Sequence, residues 1–266
     1  MPDVTAPYSP GTPCWVDLAA PDQQAALDFY SAVFGWTGEI GPADTGGYSV
    51  CHLNDKPVAG IMAAVPMEDQ PAPPTVWTTY LASTNVDATS EAIGSAGGTV
   101  VMPVMDVMKF GRMCIAADPT GAVFGVWEAL EFPGAGIVNE HGAVVWNQLN
   151  TTDRDAAAAF YETAFGIKAE AMEVEGAEGY FALKVDDRPV GGMTSMPPEL
   201  PAGTPSHWLT YFAVADADGT VAKVTAAGGS VLKEPFDMVA GRMAIVTDQQ
   251  GATFAVITPK PMGEGE

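Results

Sequence analysis

The stretch LDFYSAVFGW at residues 27–36 returns as AAFYETAFGI at 158–167, 131 positions later. In the first copy Ala26, Phe29, Tyr30, Val33 and Phe34 fall at helical spacing, and a glycine closes the run. Further pairs follow in the same order on either side. GYSVCHLNDKPVAG from Gly47 pairs with GYFALKVDDRPVGG from Gly179, and Trp77 pairs with Trp208. Ala96-Gly97-Gly98 pairs with Ala227-Gly228-Gly229, GRM at 111–113 with GRM at 241–243, and DPTGAVFGV at 118–126 with DQQGATFAV at 248–256. So many ordered matches identify a duplicated unit. Residues 10–130 are read as one domain and 141–259 as a second, with the segment between them as linker.

Each copy divides again. A strand at Cys14–Ala19 meets Pro21-Asp22, a helix start, and strand-like runs follow the helix at 36–40, 47–53 and 58–64. The Pro-rich PMEDQPAPPT at 66–75 separates a second half: a strand at Val76–Ser83, a helix at Val86–Ala96, and strands near 99–102, 111–117 and 122–128. Strand, helix, three strands, four times over, predicts an α+β chain of βαβββ modules.

The 266 residues carry 33 acids against 11 bases, a formal charge of −22. That balance disfavours nucleic acid and anionic membranes as partners and suits solubility. The three cysteines, Cys14, Cys51 and Cys114, have no counterparts in the second copy, which argues against a disulfide framework and for a reducing compartment. The start lacks a basic, apolar leader pattern, and no run is long and apolar enough to span a membrane. A cytoplasmic monomer or homodimer is expected.

The module order, with D-x-x-x-A-x-x-F-Y-x-x-x-F-G after the first strand and G-R…D-P-x-G near the end, resembles the vicinal oxygen chelate superfamily. That group includes glyoxalase I, bleomycin-resistance proteins and extradiol dioxygenases. More narrowly the chain looks like two-copy actinobacterial proteins labelled as hydroxylases and a related mycobacterial antigen. The resemblance implies tandem glyoxalase-like domains whose mixed sheets curl around cavities. It also implies metal positions seven residues before Asp22 or Asp153, nine before Asp87 or Asp218, and seven after Asp118 or Asp248. Here these hold Trp15 and Trp146, Thr78 and Leu209, and Gly125 and Ala255, none a good metal ligand. The three histidines, His52, His141 and His207, do not repeat, and no H-x-x-x-H, H-x-H or C-x-x-C spacing occurs. No metal and no cofactor is therefore expected.

Alternation assigns the strand faces. Cys14, Val16 and Leu18 should pack on the helix, leaving Trp15 and Asp17 on the concave side; the second copy places Trp146, Gln148 and Asn150 there. Thr78 and Tyr80 face inward, as do Leu209 and Tyr211. After the GR motif, Met113 and Ile115 read as core, so Arg112 and Cys114, with Arg242 and Ala244, are expected to face the cavity. Met102, Met105 and Met108 flank a loop.

The expected ligand site therefore comprises Trp15, Thr78, Tyr80, Arg112, Trp146, Gln148, Tyr211 and Arg242, with Asp17 and Arg112 as the catalytic pair if chemistry occurs. Other readings stay open. The tryptophans would simply fill a shrunken cavity, the arginines would brace the DPTG turn or pair internally, and Asp17 would cap backbone or pair with Arg112. Three functions follow: metal-independent binding of a small aromatic or apolar metabolite, in a resistance, carrier or secondary-metabolism role; an enzyme of secondary metabolism using Asp17 and Arg112, or helping an oxygenase; and, least favoured by the ligand positions, a metal-dependent lyase or dioxygenase.

Overall fold

The computed structural model describes all residues except 1–3, 5, 67–71, 174–177, 199, 202 and 261–266. The middle of the Pro-rich stretch at 66–75 lies outside the described residues. The first domain runs β1 (Pro13–Ala20), α1 (Gln23–Phe34), β2 (Ser49–Leu53), β3 (Lys56–Ala63), β4 (Trp77–Ser83), α2 (Val86–Ser95), β5 (Thr99–Val107), β6 (Gly111–Ala117) and β7 (Val123–Ala129). The second runs β8 (Val144–Thr151), α3 (Arg154–Phe165), β9 (Lys168–Ala171), β10 (Phe181–Val185), β11 (Arg188–Ser195), β12 (His207–Ala213), α4 (Ala217–Ala226), β13 (Ser230–Met238), β14 (Gly241–Thr247) and β15 (Thr253–Pro259).

Local signals set the helix ends. The Asp22 carboxylate accepts from Ala25 N and Asp153 from Ala156 N, each satisfying an orphan amide of the first turn. Gly35, at φ 75°, supplies the left-handed residue that ends α1. The run at 36–40 is the one expected strand that does not form: only Thr37 bridges to His52. Gly38 and Gly41 interrupt that segment, whereas its counterpart Lys168–Ala171, without glycine, pairs as β9.

The strands make two open mixed sheets, ordered β2-β3-β1-β4-β7-β6-β5 and β13-β14-β15-β12-β8-β11-β10-β9. In each, two modules join through a central antiparallel pair, β1 with β4 and β8 with β12, flanked by parallel pairs.

The helices lie between the two sheets, and the apolar stripes cross from one domain to the other. Phe29, Tyr30, Phe34 and Trp36 pack with Phe212, Val221 and Phe254; reciprocally, Phe160 and Tyr161 pack with Ile93, Phe124 and Val126. Phe34 and Phe212 have ring centroids 4.9 Å apart, and Phe124 and Tyr161 5.7 Å. Polar bonds repeat the crossing. Tyr30 OH donates to Asp248 Oδ2 at 3.1 Å and accepts from Trp77 Nε1 at 3.0 Å; Tyr161 OH donates to Asp118 Oδ2 at 3.1 Å and accepts from Trp208 Nε1 at 3.0 Å. Each aspartate spends its other oxygen on its own turn, taking Ala122 N or Ala252 N. The F-Y and D-x-x-G motifs are thus two halves of one inter-domain joint, built twice.

Candidate functional site on the concave face

With the helices on the convex side, the opposite face of each sheet is defined by cross-strand rows, because directly paired residues point the same way. In the first domain one row runs Gly60, Asp17, Thr78, and the next runs Trp15, Tyr80, Gly125, Ile115. The second domain gives Gly192, Gln148, Leu209 and Trp146, Tyr211, Ala255, Ile245. Two glycines make room. A Cβ on Gly125 would enter the Tyr80 ring, and one on Gly60 would strike the Tyr48 hydroxyl. The tyrosines lie down across the sheet because the glycines let them.

Asp17 is the centre of this face. Its Oδ2 accepts from Tyr80 OH at 2.9 Å and from Tyr48 OH at 3.2 Å, and Trp15 Nε1 donates to Tyr48 OH at 2.8 Å. The residue is 3 % exposed, and Oδ1 is buried with no hydrogen-bond partner. Burial pushes its carboxyl up to about 7, opposed by the two tyrosine hydrogen bonds. Burial and the neighbouring Asp17 charge push both phenols well above their ordinary range, so they stay protonated donors. On the same face, Trp15, Tyr80 and Trp127 belong to an apolar cluster against which Met113, Ile115 and Phe132 pack. Phe132 comes from the linker and meets Trp15 edge to face at 4.9 Å; its carbonyl accepts from Trp127 Nε1. Trp15 is 7 % and Tyr80 4 % exposed, so the face is filled by its own aromatic rings. A groove of about 320 Å³ opens elsewhere, between Tyr8 of the N-terminal segment and Val185, Arg188 and Pro189.

The second domain keeps the frame and changes the centre. Trp146 Nε1 donates to Tyr180 OH, and Tyr211 OH donates to Gln148 Oε1 at 3.1 Å. Gln148 Nε2 then donates to Asn150 Oδ1 at 2.8 Å, and the Asn150 amide meets His207 Nε2. A neutral amide, with its oxygen and its nitrogen each hydrogen-bonded, stands where the first domain has an acid with a spare oxygen.

The expected direction of the arginines is corrected. Met113 and Ile115 pack on the concave cluster, while Cys114 and Ala116 lie in the helix-side core, so Arg112 points with Cys114 to the convex side. There Arg112 pairs with Asp87 at 2.5 Å, at the start of α2, and with Asp106 at 2.8 Å. Arg242 pairs with Asp218 and Asp237 in the same way, and Ala244 is helix-side core. These strands are apolar on both faces, so alternation separated the faces without saying which was which. Cys14 also departs from the expected pattern: it sits at a register shift between Pro13 and Trp15, joins the concave cluster, and its thiol donates to Tyr80 O. Met102 and Met105 belong to β5, and Met108 alone sits in the turn that follows. Tyr48, Trp127 and Phe132 escaped the sequence reading. The Gly-Tyr pair repeated at 47–48 and 179–180 was the signal for the first.

Both copies match the profile of the Glyoxalase/Bleomycin resistance protein/Dioxygenase superfamily, over residues 14–126 and 143–256. The chain belongs to this superfamily. Among its relatives, the protein named "Putative glyoxylase CFP32" of Mycobacterium tuberculosis is 45% identical over 257 residues, covering 96% of this chain and 97% of that one. The anthracycline biosynthesis protein DnrV of Streptomyces peucetius is 35% identical over 261 residues, covering 94% of each. The fold is shared with the Mn(II)-bound glyoxalase of Novosphingobium aromaticivorans, at TM-score 0.62 and 14% identity over 97% of this chain and 92% of that one. It is shared equally with the 2,3-dioxygenase LapB of Pseudomonas sp. KL28, at TM-score 0.62 and 13% identity over 98% and 97%.

The metal that this superfamily's fold brings to mind does not fit the residues here. Trp15 offers only an indole N–H, already donated to Tyr48. Gly125 has no side chain, and the Tyr80 ring occupies the space beside it. Among the described residues no group of three His, Cys, Asp or Glu side chains converges. No helix among them is long and apolar enough to cross a membrane.

Proposed function

We propose that this protein binds a small, flat aromatic metabolite on the concave face of its first domain without a resident metal, in a secondary-metabolism role. One observation carries the reading: a buried carboxyl with a spare oxygen, Asp17, sits beside Tyr48, Tyr80 and Trp15 where the superfamily's metal positions hold Trp15, Thr78 and Gly125. Aromatic walls with a few convergent polar groups suit such a ligand. DnrV, a relative along nearly the whole chain, is named for the biosynthesis of anthracyclines, and that supports the metabolic setting. In the second domain, Trp146, Gln148 and Tyr211 offer a similar wall without the acid.

The test is a fluorescence titration of chelator-dialysed protein with naphthylmethanol. Saturable binding that survives dialysis and weakens in Trp15→Ala is expected. Stoichiometric Zn, Ni, Fe or Mn that resists dialysis, or no saturable binding, would overturn the reading.

A second reading, an enzyme working through acid–base chemistry at Asp17, draws on the carboxyl raised to about 7, where an acid or base can turn over near neutrality. Arg112 has no part in it, since it lies on the other face. Loss of turnover of a neutral substrate in Asp17→Asn, with affinity kept, would favour this reading over simple binding.

A further inference from the structure

We infer that the ligand of the first domain carries a basic amine, and that its ammonium group is the missing counter-ion of Asp17, held among aromatic side chains. The inference rests on the reading of the concave face as a ligand site and narrows it to a class of compound. A carboxylate withdrawn from water is costly unless a cation or several hydrogen bonds compensate it. Asp17 has compensation on one oxygen only: Tyr48 and Tyr80 both donate to Oδ2, and Oδ1 has no partner. Among the described residues no cation contributes to its titration, which burial raises and those two hydroxyls lower. The partner that the sequence suggested for it, Arg112, is committed to Asp87 and Asp106 on the other side of the sheet.

The surroundings select an organic cation over a metal ion or a neutral donor. Trp15, Tyr48 and Tyr80 supply π systems beside the carboxyl, which attract an ammonium group electrostatically and leave a hydrated metal ion without ligands. The net charge of −22 adds a long-range pull on cations and repels carboxylates. This face is filled as it stands, so the aromatic body of the ligand takes the place that the Phe132 ring now holds edge-on against Trp15. The second domain is the built-in contrast: its Gln148 is neutral, with its oxygen taken by Tyr211 and its amide by Asn150, so it offers an incoming ammonium no free charge.

Three probes of one shape decide the matter: naphthylmethylamine, naphthylmethanol and naphthoate, titrated calorimetrically into the native full chain and into Asp17→Asn at about pH 8, above the Asp17 midpoint. The native protein is expected to bind the amine at least about tenfold more tightly than the alcohol, with one amine per chain, and naphthoate least well. Asp17→Asn is expected to abolish the amine's advantage over the alcohol, so that the two bind with equal affinity. Equal affinity of amine and alcohol for the native protein would overturn this assignment and leave the aromatic-ligand reading standing. An amine preference that survives intact in Asp17→Asn would overturn it too, by tracing the preference to the overall negative charge. Binding of none of the three would overturn the ligand site itself, and the amine with it.

Discussion

Replacing Asp17 by Asn should make the protein more stable in mild alkali and leave it close to the native protein in acid. The amide has the shape of the carboxyl, so the bonds from Tyr48 and Tyr80 can persist while the charge is removed. In the folded chain burial raises the Asp17 carboxyl from 3.8 to about 7. The folded state therefore holds this proton more tightly than the unfolded chain does, and acid favours folding at this site. That contribution is complete below about pH 4, declines as the pH rises, and is lost once the pH passes about 7. Roughly three pH units at 1.36 kcal/mol each give a difference on the order of 4 kcal/mol between the two limits. Every other titrating group is common to both proteins, so the difference between their stabilities isolates Asp17. Urea unfolding of both at about pH 4, 6 and 8 measures it. The advantage of Asp17→Asn should grow by about 1.4 kcal/mol per pH unit between the limits and be flat outside them. Parallel stability curves across that range would refute the reasoning, because they would mean that water or a cation already compensates the carboxylate.

Tyr30→Phe and Tyr161→Phe each leave an aspartate oxygen and an indole N–H buried without a partner at the joint between domains, and each should cost about 1–3 kcal/mol in urea unfolding. Because each core draws on both domains, unfolding followed by near-ultraviolet dichroism and by small-angle scattering should give coincident transitions in these variants. Arg112→Ala breaks an exposed ion-pair cluster on the convex face; the affinity for naphthylmethylamine should not change, and the loss in Tm should shrink at high salt. Phe132→Ala removes the linker's ring from Trp15 and should tighten naphthylmethanol binding severalfold, read from Trp fluorescence.

The duplication, the βαβββ order and the helix boundaries were legible in the chain because they rest on local chemistry. Phe29-Tyr30 and Phe160-Tyr161 fall at helical spacing, Asp22 and Asp153 cap, Gly35 and Gly166 terminate, and each copy tests the other. Glycine content also explains why 36–40 is a single bridge while 168–171 is a strand. That Trp15 and Asp17 share a face of β1, and Thr78 and Tyr80 one of β4, followed from alternation; that Trp15 pairs with Tyr80 and Asp17 with Thr78 came only from the folded register. Alternation failed for β6 and β14, where both faces are apolar and nothing in the pattern says which one meets the helices.

Only the folded arrangement decided that Arg112 and Arg242 bind their own helices, and that Tyr30 and Tyr161 reach into the opposite domain. Only it brought Tyr48, from the loop just before β2, onto the Asp17 carboxyl. Those contacts join residues far apart in the chain, and their directions depend on how two twisted sheets trap four helices between them. The sequence alone determined that there are two copies and that Asp17 in one stands against Gln148 in the other. Tertiary structure turned that single difference into chemistry, by burying the acid with one oxygen unpaired and giving both the oxygen and the nitrogen of the amide a partner.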